Sequence, residues 1–225
     1  MSNHPSSTES SDSGSAPIAA NLRPTESIGP RLREAQYERI RPLARVHPAP
    51  STGEVADRVR ARRGGHLTPL DEALLHSEPF ADGWNKLLGA VRSSMALPGV
   101  LRELAICRIA ALNGADYEWR AHAPLARAEG LTDEQVAALR LDADVAPLND
   151  DHLLVLAYTD AMTRSVTVSD ELSTAVHERL GTQQLVELTG TIAAYNMVSR
   201  FLVALHVGHT APADTLESTE SEVTV

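Results

Sequence analysis

Helix start and stop signals divide the sequence between residues 68 and 207, and they leave little room for strands. Residues 68–71, Thr-Pro-Leu-Asp, supply the hydroxyl cap, proline and acid that are typical of a helix N-terminus. The Asn-Gly pair at 113–114 is a strong helix stop, and a capping box begins at Thr132. No run of four or more residues alternates convincingly as a strand except residues 165–169, which fit a loop. We therefore predict an all-α protein.

Apolar residues recur at helical spacing within each of these segments. In this part of the chain one predicted helix begins at Thr68, and further helices occupy about 80–95, 98–112, 116–129, 132–139 and 149–163. Ser169 and Thr182 are predicted to cap the last two helices, the second of which reaches about Val207. Pro124 lies inside the fourth segment and should bend it or remove one backbone hydrogen bond.

The acidic charge of the chain is concentrated at its two ends. The formal net charge is −10, and residues 1–22 and 210–225 hold six acids but no Lys or Arg, which leaves −4 for the rest. Both ends are rich in Ser, Thr, Pro, Ala and Glu, a composition that cannot bury enough apolar surface to fold. We predict that both are disordered tails, the second of them acidic. The acidic balance also argues against a nucleic acid as partner.

The rest of the chain divides into two predicted parts. Residues 23–60 would form an N-terminal arm and a lead-in helix, and residues 61–209 a single helical domain. Four arginines precede a pair of glycines near this boundary: Arg58, Arg60, Arg62 and Arg63. The cluster is either an anion-binding patch or, as we favour, a solvated helix end closed by glycine.

Three absences narrow the class of protein. No segment approaches the roughly 18 unbroken apolar residues that a membrane span needs, so we expect no membrane insertion. Residues 1–22 lack the charged start and apolar stretch of a secretory signal, which favours a cytoplasmic protein. Cys107 is the only cysteine, so we expect no intrachain disulfide, no Cys-x-x-Cys redox pair and no cysteine-rich metal site.

Two pairs of chemically useful residues lie on neighbouring predicted helices. Glu103 stands among apolar residues, and Cys107 follows four positions later on the same face. After the turn at 113–114, Glu118 and His122 are also four apart. If the two helices form a hairpin, Glu103 can face Glu118 and His122. A partly buried carboxylate beside an imidazole makes a general acid or base, because burial raises the pKa of the acid and the acid fixes the tautomer of the imidazole.

Aromatic residues flank this second pair. Tyr117 and Trp119 adjoin Glu118, and Tyr117 could donate a hydrogen bond to an oxyanion, as enolate-forming sites require. Simpler interpretations exist for each residue. Glu118 and His122 could be an ordinary exposed pair, Cys107 a small core residue, and both aromatics core or subunit contacts. The residues alone leave these alternatives open.

Residues 101–131, LRELAICRIAALNGADYEWRAHAPLARAEGL, resemble the carboxymuconolactone decarboxylase family, which shares its fold with the alkylhydroperoxidase D-like proteins. Two further segments agree, RRGGHLTPLDEALLHSEPFADGW at 62–84 and TGTIAAYNMVSRFLVALHV at 189–207. The resemblance covers roughly residues 30–209. It implies that 61–209 is an all-helical domain of this family that assembles into homo-trimers or hexamers, with a pocket around a helical hairpin near subunit contacts.

The chain departs from the redox branch of this family at two positions. That branch has a Glu, a Cys twelve residues later, a second Cys three further on and a His after four more. Counted from Glu103, these positions hold Ala115, Glu118 and His122. Thiol peroxidase chemistry needs a thiolate and a resolving partner, so the disulfide cycle of that branch is not available here.

We therefore predict an enzyme like carboxymuconolactone decarboxylase that performs acid–base chemistry on a small organic acid, lactone or carbonyl compound. Decarboxylation, isomerisation and elimination are all compatible with it. The predicted catalytic residues are Glu103, Tyr117, Glu118 and His122. The predicted substrate-binding residues are Trp84, Cys107, Trp119 and Arg200. Of these, Arg200 could clamp a carboxylate, or form an ion pair to a neighbouring helix or subunit.

We predict no cofactor and no metal. His206 and His209 could reach a common metal ion, but neither an acid nor a thiol lies close to them in sequence. Two alternatives to acid–base catalysis remain. One is an alkylhydroperoxidase-like antioxidant with peroxiredoxin activity, and the other is a non-catalytic binding protein on the same fold.

Overall fold

The structure of the protein is a computed structural model that describes residues 43–209. Helices follow one another through this range, and it contains no strand. They are α1 (Glu54–Arg62), α2 (Pro69–Leu74), α3 (Glu78–Ser93), α4 (Gly99–Asn113), α5 (Asp116–Ala128), α6 (Asp133–Ala138), α7 (Asp150–Ser165) and α8 (Asp170–Leu205). The all-α prediction is confirmed. The predicted tails, 1–22 and 210–225, and residues 23–42 of the predicted arm lie outside the described residues.

The cap residues seen in the sequence start the helices as expected. The Thr68 hydroxyl accepts a hydrogen bond from the Asp71 amide, and the Asp71 carboxylate accepts one from the Thr68 amide. Thr132 and Gln135 form the same reciprocal box at the start of α6. The Asn149 side chain accepts from an amide in the first turn of α7. These side chains satisfy backbone donors that a helix N-terminus otherwise leaves unpaired.

The longest helix, α8, is interrupted in its backbone. Gly181 has φ +76° and ψ 170°, a conformation that glycine adopts far more readily than other residues. The interruption falls directly before Thr182, where the sequence predicts a new helix. Ser169 caps the first of the two helical parts by accepting from the Leu172 amide.

The core forms around α4, which packs against α5, α7 and α8. Nine residues of α4 between Leu101 and Ala110 are buried, so nearly its whole circumference faces other parts of the chain. Two of the nine are charged. Arg108 is neutralised by Asp160 on α7 through two hydrogen bonds of 2.6 and 2.7 Å. The second buried charge, Glu103, belongs to the candidate site described below.

By length and composition alone, α8 could cross a membrane, with a mean hydropathy of 1.2 over 18 of its residues. However, one side of α8 packs into the domain core through Leu188, Ile192 and Tyr195, which are fully buried. The core helix of a globular domain has the same length and composition. One such helix is therefore weak evidence for membrane insertion.

Candidate active site

A helical hairpin of α4 and α5 brings predicted acid–base residues together. Gly114, with φ +65°, ends α4 in the left-handed conformation that glycine adopts without strain. From there α5 runs back along α4 and remains helical past Pro124 to Ala128. Glu103 on α4 and His122 on α5 meet across the hairpin, with 2.7 Å between Glu103 Oε2 and His122 Nδ1. Both side chains are buried.

Glu103 stays ionised although it is buried. Burial acts to raise its pKa, but the hydrogen bonds from His122 and Arg102, together with the charge of Arg102, outweigh burial and lower the pKa below its ordinary value. Arg102 Nε donates to Glu103 Oε1 at 3.1 Å, and Arg102 Nη2 donates to Glu129 at 2.9 Å. Each carboxylate oxygen of Glu103 therefore has a donor, and the buried charge is paired.

His122 is a neutral imidazole held in one tautomer. Burial lowers its pKa, and this effect outweighs the hydrogen bond and charge of Glu103, which act to raise it. An ionised carboxylate only accepts hydrogen bonds, so Nδ1 carries the proton and donates it to Glu103. The other ring nitrogen, Nε2, makes no hydrogen bond with any described residue. Its lone pair is therefore free to take up a proton.

Glu118, the second buried carboxyl group of the hairpin, differs from Glu103 in its pKa and in its hydrogen-bond partners. It lies one helical turn before His122 on α5, and burial raises its pKa well above the ordinary value, with the charge of Arg92 acting against the shift. Within residues 43–209, neither of its buried oxygens has a hydrogen-bond partner. An ionised carboxylate without partners is costly in such a place. Burial and the lack of partners therefore favour the protonated form of Glu118, which is able to donate its proton.

Two residues missed by the sequence predictions, Arg92 and Tyr195, complete this polar cluster. The Tyr195 ring stands edge-on to the His122 ring, with 5.0 Å between the ring centroids. Its hydroxyl accepts a hydrogen bond of 2.8 Å from Arg92 Nε. Burial raises the pKa of Tyr195 to about 12, although Arg92 acts to lower it. The phenol therefore keeps its proton and remains a hydrogen-bond donor.

The sequence carried only faint signals for these two residues. Tyr195 lies within residues 189–207, one of the segments that resembles a known family. Arg92 stands in the last turn of α3, where a cation is ordinarily explained by the helix dipole.

The chain is similar to known proteins in sequence and in fold. Residues 78–161, which include the whole α4–α5 hairpin, match the model of the carboxymuconolactone decarboxylase family. Over these residues the chain is similar to that family. No curated protein matches the chain.

Two solved structures share the fold. One, from Agrobacterium tumefaciens, is described as a protein of unknown function and a candidate antioxidant defence protein AhpD. It is 20% identical, with a TM-score of 0.53, and the match covers 58% of this chain and 90% of that one. The other is an uncharacterized peroxidase-related protein from Silicibacter sp. TM1040. It is 15% identical, with a TM-score of 0.63 and coverage of 75% and 92%. These similarities confirm the predicted alkylhydroperoxidase D-like fold and concern the fold alone.

Within residues 78–161, which match the carboxymuconolactone decarboxylase family model, the one cysteine of the hairpin lies on α4 and not on α5. The positions of the two cysteines of the redox branch are occupied by Ala115 and Glu118. Cys107 is fully buried on α4, and burial raises its pKa to about 12, with the charge of Glu103 adding to the effect. A thiol in this state is a poor nucleophile.

Three other predicted site residues have their principal contacts outside the polar cluster. Tyr117 is half-buried, and its ring lies so close to Gly208 that a Cβ there would overlap it. Trp119 contacts Arg140, whose guanidinium carbon lies 3.9 Å from the ring centroid. Arg200 is exposed and donates to a backbone carbonyl one turn earlier in α8, at 2.9 Å.

Trp84 belongs to an aromatic group at another part of the domain. Its ring packs against Phe80 and Phe201, with centroid distances of 5.5 and 5.3 Å. It also lines a small depression to which α1, α2 and α3 contribute, and the Glu103–His122 pair does not line it. Between residues 43 and 209 no group of three or more His, Cys, Asp or Glu side chains is arranged to hold a metal ion.

Proposed function

We propose that the protein is a cofactor-free acid–base enzyme. It would perform decarboxylation, isomerisation or elimination on a small organic acid, lactone or carbonyl compound. One observation carries the proposal: the buried Glu118 carboxyl group, which has no hydrogen-bond partner among residues 43–209, lies one turn before His122, whose Nδ1 is bound by the buried Glu103. Burial favours the protonated form of Glu118 and the neutral form of His122 by raising the pKa of the first and lowering that of the second. A proton donor and a proton acceptor in one buried site are what these reactions require.

His122 is the general base in this mechanism. Its Nε2 lone pair removes a proton from the carbon next to the substrate carbonyl, and the electrons of the C–H bond move into an enolate. Ionised Glu103 stabilises the imidazolium that forms, through the hydrogen bond at Nδ1. In a decarboxylation, the C–C bond to the departing CO₂ supplies the electron pair instead.

Glu118 is the general acid, and it returns a proton to the enolate carbon or oxygen. After a proton abstraction, a proton passed from the His122 imidazolium to the Glu118 carboxylate restores the starting state. After a decarboxylation, in which His122 takes up no proton, Glu118 regains its proton from water. We assign to Tyr195 the stabilisation of the enolate oxygen, a role that the sequence suggested for Tyr117. Tyr195 contacts the His122 ring, whereas Tyr117 packs against Gly208.

The alternatives predict different chemistry. An antioxidant of the alkylhydroperoxidase type needs a reactive thiolate, and Cys107, the single cysteine, is buried with a raised pKa. A non-catalytic binding protein would not need a buried carboxyl group without partners, which costs stability.

We further propose that the enzyme acts in the cytoplasm as a homo-oligomer, a trimer or a hexamer. Several large apolar side chains are exposed on the described domain, among them Leu87, Leu125, Val186 and Val203. Exposed apolar surface of this kind often marks contacts between subunits.

The test is to supply the protein with a panel of β-keto acids, unsaturated lactones and enolisable ketones in D₂O. NMR then follows the exchange of the acidic C–H proton and the formation of product. We expect His122→Ala and Glu118→Gln each to lower the rate by about 10²–10⁴-fold, because each removes one proton carrier.

Asp116→Asn is the matched control, since it removes an exposed carboxylate from the same first turn of α5. Its rate should equal that of the wild type. Equal rates for Glu118→Gln, His122→Ala and the wild type would contradict the mechanism. Peroxide consumption that Cys107→Ser abolishes would establish thiol chemistry instead.

A further inference from the structure

One member of the arginine cluster on α1 lacks a carboxylate partner. Three of the four arginines are neutralised: Arg58 pairs with Asp82, Arg60 with Asp57 and Arg63 with Asp71. The helix also ends at two glycines with positive φ, as the sequence indicated. Arg62 is exposed and forms no ion pair within residues 43–209.

The Arg62 side chain lies along one face of α3. Its Nε donates to Asn85 Oδ1, and its Cδ lies 3.8 Å from the point that a Cβ on Gly89 would occupy. Asn85, Gly89 and Arg92 are spaced by four and three residues, so they share that face. Arg62 therefore extends toward Arg92. Partial burial of the Arg62 side chain lowers its pKa most, the charges of Arg63 and Arg92 lower it further, and the charge of Asp71 acts in the opposite direction.

Arg92 connects this face of α3 to the acid–base cluster. It is half-buried, and like Arg62 it has no carboxylate partner in the described part of the chain. Its Nε donates to the Tyr195 hydroxyl, and the Tyr195 ring contacts the His122 ring. Neighbouring side chains therefore lead from the exposed Arg62 through Arg92 and Tyr195 to the buried His122.

The Arg62 and Arg92 guanidinium groups repel each other, and Asp71, which pairs with Arg63, only partly offsets the repulsion at Arg62, so a bound anion would relieve it. Arg62 Nε donates to Asn85, and Arg92 Nε donates to Tyr195. The terminal amino groups of both guanidinium groups have no acceptor among residues 43–209. Terminal guanidinium groups match the two oxygens of a carboxylate.

We propose that Arg62 and Arg92 form a binding site for a carboxylate group of the substrate. The site would orient the adjoining carbon toward Tyr195 and His122. That the bound carboxylate belongs to the substrate rests on the proposed function, and it selects organic acids from the wider class of lactones and carbonyl compounds. The binding of a carboxylate to Arg62 and Arg92 is tested without turnover.

The experiment titrates the full-length protein with acetate, benzoate and succinate by isothermal titration calorimetry at pH 7 and low salt. Succinamide is the uncharged analogue. We expect at least one carboxylate to bind and succinamide not to bind. Arg62→Gln and Arg92→Gln should each weaken carboxylate binding by about tenfold or more, and Arg92→Lys by less, since it keeps the charge but not the planar fork.

Arg120→Gln is the matched control, because Arg120 is an exposed arginine on α5. It should leave carboxylate binding unchanged. The proposal is overturned if none of the three carboxylates binds, if succinamide binds equally well, or if Arg120→Gln weakens binding as much as Arg62→Gln. Because Arg62 is exposed, Arg62→Gln retains the fold and keeps the test decisive even if Arg92→Gln unfolds.

The two proposals fail in different ways. Carboxylate binding that depends on Arg62, together with no proton transfer from any substrate, would contradict the acid–base function and leave the binding site standing. Proton transfer that depends on His122 but not on Arg62 or Arg92 would contradict the binding site alone.

Discussion

Glu103 and Glu118 lie on facing helices of one hairpin and are equally buried, at 2% and 1% exposure, yet they hold opposite charge states. Glu103 accepts hydrogen bonds from Arg102 and His122, and its pKa is lowered despite burial. Glu118 has no partner in the described structure, and burial raises its pKa. Partners rather than depth therefore decide which carboxyl group ionises here.

This difference gives the α4 and α5 sides of the hairpin separate roles. The α4 side supplies a fixed negative charge that holds one tautomer of His122. The α5 side supplies both groups that can exchange protons with a substrate, Glu118 and His122. Two carboxyl groups whose pKa values are pushed apart by their surroundings are a recurrent basis for assigning acid and base.

The largest expected effect is a difference in stability between a variant of Glu103 and the matching variant of Glu118. Glu103→Leu should lower the free energy of unfolding by about 3 kcal/mol, because it leaves the His122 Nδ1–H unpaired and removes one partner of Arg102. Glu118→Leu should preserve stability or raise it by about 1 kcal/mol, because it removes a buried polar group that has no partner. Urea denaturation of both variants measures the difference.

Glu103→Gln is the control for side-chain size in this comparison. It keeps an acceptor for His122 but loses the charge that faces Arg102, so its stability should fall between that of Glu103→Leu and that of the wild type. Equal losses for Glu103→Leu and Glu118→Leu would show that Glu118 has a partner after all and would remove the contrast.

The next effect is a pH dependence that belongs to Glu118. A raised pKa means that the folded state holds a proton that the unfolded state releases, so stability is full below pH 4.5 and declines as the pH rises. The decline should be about 1.4 kcal/mol per pH unit until the raised pKa is reached. Glu118→Gln has no such proton and should lack this part of the slope.

The measurement compares the free energies of unfolding of the wild type and Glu118→Gln from pH 5 to pH 8. Glu103 and His122 titrate in both proteins, so their contributions cancel in the difference. A difference that stays constant over this range would mean that Glu118 is ionised in the folded protein, and the general-acid role would then be lost.

The elements that local chemistry specifies could be predicted from the sequence. Thr68 and Thr132 start helices by contacts with residues three positions away, and the Asn-Gly pair at 113–114 closes the hairpin. The same spacing rules placed Glu103 opposite His122, because each lies on a known face of a helix on either side of one short turn.

The remaining part of the site depends on packing between distant segments. Arg92 and Tyr195 are 103 positions apart, and no spacing rule connects them. The sequence also could not distinguish Tyr195 from Tyr117 as the phenol beside His122, because that depends on how α8 packs against the hairpin. For Arg200 the sequence suggested a role that packing does not support. Its side chain could bind a carboxylate, but it donates a hydrogen bond to a backbone carbonyl of its own helix.

The smallest expected effect concerns the outer support of Glu103. Glu129 accepts a hydrogen bond from Arg102 at 2.9 Å, but its side chain is 42% exposed, so water and salt screen the pair. Glu129→Gln should therefore lower the free energy of unfolding by less than about 1 kcal/mol, and the loss should vanish at high salt. Because Glu103 keeps both its donors, the proton-transfer rate should not change. Urea denaturation at low and high salt measures the first effect, and the D₂O exchange assay measures the second.

A loss of stability as large as that of Glu103→Leu would mean that Arg102 is held mainly by Glu129. The charge state of Glu103 would then be set from the surface of the domain rather than from within the hairpin.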